Sequence, residues 1–227
     1  MIEEVCGRIH SALESSGNSE RKARSASYLR TSSLAFIGVE LPDIHRIVKS
    51  NIRNLLIDDL PALMKMLWNV KTFETRVAAI DVMREYARKG DVSVALRIVD
   101  SWIDEADTWG ITDPLCSPTI GILLLRSPEV ENVVKSWCKS GNIWRRRCSV
   151  LPFLYLSLKT HYEQEYSKRI LDAVTPHISD EEFFVGKAAG WVLRELSKRE
   201  PKLVAEYFEI HQERMTRLVI REGSRKI

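Results

Sequence analysis

Apolar residues recur along nearly the whole chain with the three- to four-residue spacing of amphipathic α-helices. No segment alternates apolar and polar residues convincingly enough to predict a β-strand. Several predicted helices begin with a proline at or near the first turn, where its missing N–H costs no hydrogen bond. These prolines are Pro42, Pro61, Pro114, Pro128 and Pro201. The predicted helices span residues 2–15, 19–33, 42–54, 58–69, 72–89, 91–105, 113–126, 128–140, 142–159, 164–176, 180–199 and 201–219.

Short connections join these segments, which makes successive helices antiparallel neighbours. About a dozen short helices predict an all-α fold, a superhelical array of about six antiparallel helical pairs. We expect a single domain over residues 1–227. An irregular globular α-bundle stays open as an alternative, because no strict sequence period is visible.

Charge is distributed unevenly, although the formal net charge is only +3. Residues 1–138 carry 17 Lys or Arg against 19 Asp or Glu, a net charge of −2. Residues 139–227 carry 17 against 12, a net charge of +5. The C-terminal part is therefore the better candidate for binding a polyanion.

Cysteine and histidine spacing indicates neither a disulfide framework nor a metal site. The four cysteines form no CxxC pair and have no histidine at ligand spacing, so we expect reduced, mostly buried thiols. The apolar runs are too short to span a membrane, and the N-terminal segment has the pattern of an amphipathic helix rather than a signal peptide. We therefore expect a soluble cytoplasmic protein. The cysteines are Cys6, Cys116, Cys138 and Cys148.

The segment EEFFVGKAAGWVLRELSKR, residues 181–199, predicts a helix with an unusual polar face. At about 100° per residue, three cations and one tryptophan fall within about 60° of one another. They are Lys187, Trp191, Arg194 and Lys198. One interpretation is a stripe that faces an anionic partner. The alternative places Trp191 in the core, with the long cationic side chains extending around it to solvent.

Two further segments combine a tryptophan with charged residues. In TWGITDP, Trp109 precedes Asp113 by four residues, and an aspartate directly before a proline is also a good helix N-cap. In GNIWRRR, Trp144 is followed by three arginines, residues 145–147, in the first turn of a predicted helix. Cations there oppose the helix dipole, which favours an anionic partner; the alternative is that the arginines extend into solvent.

Five segments in order resemble the AlkD-like family of DNA alkylation repair enzymes, which are HEAT-like-repeat DNA glycosylases. The resemblance covers nearly the whole chain and therefore implies an α-solenoid with a concave DNA-binding face. The segments are LAFIGVELPDIHRIVKS, LWNVKTFETRVAAIDVM, SGNIWRRRCSVLPFLYL, DEEFFVGKAAGWVLREL and IREGSRK.

The resemblance implies a role for each candidate residue. The family's Trp-x-x-x-Asp pair matches Trp109 and Asp113, and the aspartate is the catalytic carboxylate. The tryptophan of Gly-Trp-x-Leu-Arg-Glu matches Trp191, the second aromatic wall. The residues expected to contact the DNA backbone are Arg146, Arg147, Lys187, Arg194 and Lys198. This chain departs from the family's Trp-Trp-Asp at residues 108–110, so a register that uses Trp102 with Asp104 or Asp107 stays open.

The resemblance further implies a glycosylase that acts on cationic N3- or N7-alkylated purines in duplex DNA. We expect no cofactor and no metal. A developing oxocarbenium sugar would be stabilised by the carboxylate, and the base would not enter a deep pocket. We expect a monomer. Two alternatives stay open: a family member that binds DNA without turnover, and a helical-repeat scaffold that binds another protein.

Overall fold

A computed structural model describes residues 1–226. In that part of the chain the named elements of secondary structure are all helices. An isolated parallel bridge joins Ala35 to Thr72. None of the helices described is both long enough and apolar enough to cross a membrane. The α-helices are α1 Ile2–Ser15, α2 Ser19–Tyr28, α3 Leu41–Ile52, α4 Leu60–Asn69, α5 Phe73–Lys89, α6 Val92–Glu105, α7 Trp109–Pro114, α8 Gly121–Arg126, α9 Glu129–Ser136, α10 Ile143–Val150, α11 Phe153–Ser157, α12 Tyr166–Val174, α13 Phe183–Ser197, α14 Pro201–His211 and α15 Arg217–Gly223.

The predicted periodicity is confirmed for most of these helices, and the differences have local causes. The segment predicted as 201–219 forms two helices, because Met215 is extended and Thr216 begins α15 as its N-cap. The Thr216 hydroxyl accepts a hydrogen bond from the Val219 amide at 3.3 Å. The segment predicted as 142–159 also divides, with Pro152 as the N-cap residue of α11. Such interruptions preserve apolar spacing, so periodicity alone does not reveal them.

The chain divides into two compact units, while the expectation of a single domain stays a prediction. Unit 1 comprises Met1–Val99 and Ala106–Leu115. Unit 2 comprises Asp100–Glu105 and the residues from Cys116 onward. Helix α6 therefore contributes its last residues to unit 2.

Unit 1 is organised around α5, most of whose residues are buried and which packs against α3 and α4. Glu74 on this helix is buried and accepts hydrogen bonds from the amides of Ile37 and Gly38 at 2.9 and 2.7 Å. Gly38 has a φ of +94°, which is a conformation that favours glycine. A buried carboxylate thus holds the loop before α3, because its charge is compensated by backbone donors.

Unit 2 is organised around α13, which packs against α10, α14 and α15. Gly190 permits the approach of α15, since a Cβ there would lie 2.6 Å from the Cβ of Glu222. The glycine at this position is therefore explained by the close packing of α15 against α13.

Cys116 and Cys148 form a disulfide with a Cα–Cα distance of 5.5 Å, so the expectation of four reduced thiols is wrong for this pair. Both residues are fully buried in unit 2, whereas Cys6 and Cys138 are free thiols. Because the two half-cystines are 32 residues apart, no local spacing motif marks them. Only the packing of the segment after α7 against α10 brings them together.

We expect Cys148→Ser to lower the free energy of unfolding by about 3–4 kcal/mol, since it opens a long covalent loop in the unfolded chain. The measurement is urea unfolding without reductant. Cys138→Ser is the matched control and should change stability little, because Cys138 is a half-buried free thiol. Equal stability of the two variants would contradict a structural role for the disulfide.

Candidate functional site

Helix α7 carries the candidate carboxylate, Asp113, and the candidate indole, Trp109. The helix begins at Trp109 because the Thr108 hydroxyl accepts a hydrogen bond from the Gly110 amide at 3.4 Å. Four residues separate Trp109 from Asp113, so the two side chains lie on one face of the helix. Both residues are half-buried. Unit 1 therefore presents an aromatic ring and a carboxylate side by side.

The interpretation of Asp113 as a helix N-cap is wrong. Thr108 caps α7, and Asp113 lies inside that helix together with Pro114. A π-helical segment, Leu115–Ile120, follows directly and contains Pro118. Turns of this kind are rare and occur frequently at functional sites. Asp113 is thus placed next to an irregular backbone rather than at a helix start.

Tyr28 extends the aromatic surface of unit 1 and is not among the residues predicted from sequence. Its ring meets the Trp109 ring edge to face, with centroids 5.3 Å apart and an interplanar angle of 89°. Tyr28 is 72% exposed, so the pair is open to solvent. The tyrosine ends α2, about 80 residues away in sequence, and no motif around it predicts this contact.

The two rival carboxylates have structural partners. Asp104 accepts two hydrogen bonds of 2.6 Å from the Arg145 guanidinium, and these hydrogen bonds lower the pKa of the Asp104 carboxyl. Asp107 accepts from the hydroxyl of Ser33 at 2.8 Å and from its amide. Trp102 is 3% exposed and belongs to the core. Asp104 and Asp107 thus each stabilise a contact between segments that are distant in sequence.

The three arginines of α10 point to partners within unit 2, so the alternative in which they extend into solvent is wrong. Arg145 binds Asp104 as described above. Arg146 forms an ion pair with Asp180 at 2.8 Å. Arg147 is only 3% exposed and donates to the carbonyl of Phe184. These guanidinium groups therefore organise unit 2, and a role of Arg146 and Arg147 in DNA contact stays a prediction.

The stripe on α13 contains two lysines that reach solvent. Lys187 is exposed, with its ammonium 5.4 Å from the centroid of the Phe183 ring. Lys198 is also exposed and forms an ion pair with Glu195. Trp191 is half-buried rather than part of the core, and its role as a second aromatic wall stays a prediction. The solvent-facing charge of the stripe thus comes from its two lysines.

Arg194, the third cation of the stripe, binds a buried carboxylate. Glu222 is 5% exposed and accepts from Arg194 at 3.0 Å and from Arg225 at 2.9 Å, with Arg221 at 3.7 Å. One carboxylate thus gathers three guanidinium groups and leaves an excess positive charge at the surface. Arg221 and Arg225 lie four residues apart, which is the sequence signal for two of the three arginines in this cluster. The burial of Glu222 has no such signal.

Within residues 1–226, no three His, Cys, Asp or Glu side chains are grouped so that they could hold a metal ion.

Comparisons with known proteins agree with the fold and the motifs. The family model described as DNA alkylation repair enzyme matches residues 9–227. A predicted DNA alkylation repair enzyme from Enterococcus faecalis is 21% identical with a TM-score of 0.78, over 93% of this chain and 96% of that one. AlkD2 from Streptococcus mutans is 14% identical with a TM-score of 0.64, over 92% and 98% of the two chains.

A third solved structure, smu.31 from Streptococcus mutans UA159, is 15% identical with a TM-score of 0.64, over 82% of this chain and 92% of that one. The comparison with curated proteins finds no match. Since these structural likenesses lie below 25% identity, they establish the fold, and the predicted all-α class is confirmed. The family model covers nearly the whole sequence, and the chain therefore belongs to the DNA alkylation repair enzyme family.

Proposed function

We propose that this protein is a DNA glycosylase of base excision repair. It hydrolyses the N-glycosidic bond of cationic N3- and N7-alkylated purines in duplex DNA. The observation that carries the proposal is the placement of Trp109 and Asp113 on one face of α7, where both side chains are half-buried. Membership of a DNA alkylation repair family supports the same substrate.

Alkylation at N3 or N7 gives the purine a positive charge, so the base is already a good leaving group. The bond between C1′ and the base nitrogen breaks with its electron pair going to the base, which becomes neutral. Positive charge then develops on the sugar as an oxocarbenium ion. Water adds to C1′ and loses a proton to solvent, which leaves an abasic site.

Asp113 stabilises this reaction electrostatically, because a fixed carboxylate beside the sugar lowers the energy of the developing cation. The carboxylate also orients the attacking water. Trp109 excludes bulk water from the same face and attracts the cation through its π-electrons. Such preorganised groups are typically worth about 2.7–4 kcal/mol in the barrier.

The exposed cations of unit 2 bind the phosphate backbone in this proposal. Lys187 and Lys198 face solvent on α13, and the arginines gathered by Glu222 add to the positive charge of the unit. Phosphate contacts position a duplex without reading its sequence, which suits an enzyme whose lesions occur in any sequence context.

We expect Lys187→Ala to weaken binding to lesion-containing and undamaged duplexes about equally. It should also reduce the slope of log K against log salt by about one. The measurement is fluorescence anisotropy with a labelled duplex at several salt concentrations. Lys202→Ala is the matched control, because Lys202 is an exposed lysine on α14, outside the stripe. If Lys187→Ala leaves the salt slope unchanged, the stripe on α13 does not bind phosphate.

Release of methylated purine from duplex DNA by the wild-type protein tests the enzyme directly. Salt-dependent duplex binding without release would identify a non-catalytic family member. Absence of both activities would leave the scaffold alternative, in which the helical array binds a protein.

A further inference from the structure

Unit 1 contains a groove that the proposed repair reaction does not use. It lies where α3 and the segment after it meet α5, and its volume is about 1050 Å³. The residues that line it come from positions 45–60 and 81–89, and none of them is a candidate residue of the glycosylase site.

The rim of the groove is basic. Five Lys or Arg side chains line it against two acidic ones, Asp81 and Glu85, which is a formal excess of +3. All of unit 1 carries 15 Lys or Arg against 14 Asp or Glu, a net charge of only +1, so the rest of this unit is net acidic. The basic lining residues are Arg46, Lys49, Arg53, Arg84 and Lys89.

Three of these cations are available to a ligand. Lys49, Arg53 and Lys89 are exposed, and none has an ion-pair partner among residues 1–226. Lys49 is in α3 and Arg53 is the C-cap of that helix. Because they are four residues apart, their side chains lie on the same side of the helix. A negatively charged ligand would therefore bind them without breaking an internal ion pair.

The floor of the groove is aliphatic. Val48 and Leu60 are buried, and Ile52, Leu55 and Ile57 are half-buried, so apolar surface remains accessible between the cations. The described lining residues include no Phe, Tyr or Trp on which a nucleobase could stack, and the imidazole of the lining residue His45 is hydrogen-bonded to Asp81. A duplex backbone would contact the rim and leave this apolar floor without a partner.

We propose that this groove binds an acidic peptide segment of another protein that also carries large apolar side chains. The carboxylates of the segment pair with the three free cations, and its apolar side chains cover the aliphatic floor. An amphipathic segment that places apolar anchors in a groove is a common mode of peptide recognition. The inference is independent of the glycosylase proposal, because it uses no residue of that site.

The test uses the full chain and fluorescence anisotropy with two labelled peptides. One is a short peptide of alternating glutamate and leucine, and the other has serine in place of leucine. Arg53→Glu and Lys89→Glu each alter the rim, and Ile52→Ser alters the floor. Lys65→Glu is the matched control, because Lys65 is an exposed lysine of unit 1 that does not line the groove.

We expect the leucine peptide to bind at least about tenfold more tightly than the serine peptide, a difference of about one decade in Kd. Arg53→Glu and Lys89→Glu should each weaken binding of the leucine peptide by about tenfold, whereas Lys65→Glu should change this binding little. Ile52→Ser should bring the two peptides closer in affinity, because the advantage of leucine depends on the floor. Asp113→Asn should bind the peptide like the wild type, whatever its effect on base release.

Two results would overturn the proposal. One is equal binding of the two peptides, or no binding of either, by the wild-type protein. The other is displacement of the peptide by an unlabelled undamaged duplex, together with weaker duplex binding by Arg53→Glu and Lys89→Glu. The groove would then belong to a DNA-binding surface.

Discussion

The Asp113→Asn variant should release methylated purine from duplex DNA about 10²–10³-fold more slowly than the wild-type protein. Asparagine has nearly the same size as aspartate but no charge, so the variant loses stabilisation of the oxocarbenium sugar and keeps the shape of the site. Duplex affinity should therefore stay within a few-fold of wild type. The measurement is single-turnover release of the base from a duplex with one methylated purine.

The matched control is Asp107→Asn, which makes the same chemical change in the carboxylate that holds Ser33. We expect this variant to lose stability through the weakened contact and to release purine at the wild-type rate per folded molecule. The reverse pattern, with release lost in Asp107→Asn and kept in Asp113→Asn, would move the catalytic carboxylate to the other register. Wild-type rates in both variants would remove the carboxylate mechanism altogether.

Substrates that differ only in the damaged base should separate by charge. We expect N3- and N7-alkylpurines to be released, including those with substituents larger than methyl, because the proposed mechanism grips sugar and phosphate rather than the base. Neutral bases such as hypoxanthine and uracil should be released more than about a hundredfold more slowly, a barrier difference of about 2.7 kcal/mol. Without a positive charge, the leaving group must depart as an anion.

The measurement is abasic-site formation on a panel of duplexes with one sequence and one variable base. An enzyme that flips the base into a snug pocket would reject bulky adducts and could accept neutral bases. Efficient release of hypoxanthine or uracil would therefore contradict charge-driven departure, even if alkylpurines were also released.

Local periodicity was sufficient to predict most helices. The predicted segment 2–15 coincides with α1, and the predicted 72–89 differs from α5 only by its N-cap residue, Thr72. These predictions succeed because a helix places its apolar face toward the core every three to four residues, and because caps are properties of neighbouring residues. The family motifs are likewise short segments that a sequence displays directly.

The environment of each candidate side chain was decided by tertiary structure. Asp113 has a proline after it and therefore has the pattern of an N-cap, but α7 begins four residues earlier at Trp109. The three arginines of α10 have the pattern of an exposed first turn, but carboxylates 34 to 45 residues away bind Arg145 and Arg146. The sequence shows which residues are charged, but the partners of these arginines lie too far along the chain for a local pattern to reveal them.

The sequence by itself thus determined the all-α class, the approximate positions of most helices and the family. The three-dimensional structure alone decided that Cys116 meets Cys148, that Glu222 gathers three arginines, and that Tyr28 lies against Trp109. The physical reason is the range of the interactions. Helix formation depends on residues within about four positions, whereas ion pairs, disulfides and ring contacts form between side chains that only the packing of helices brings together.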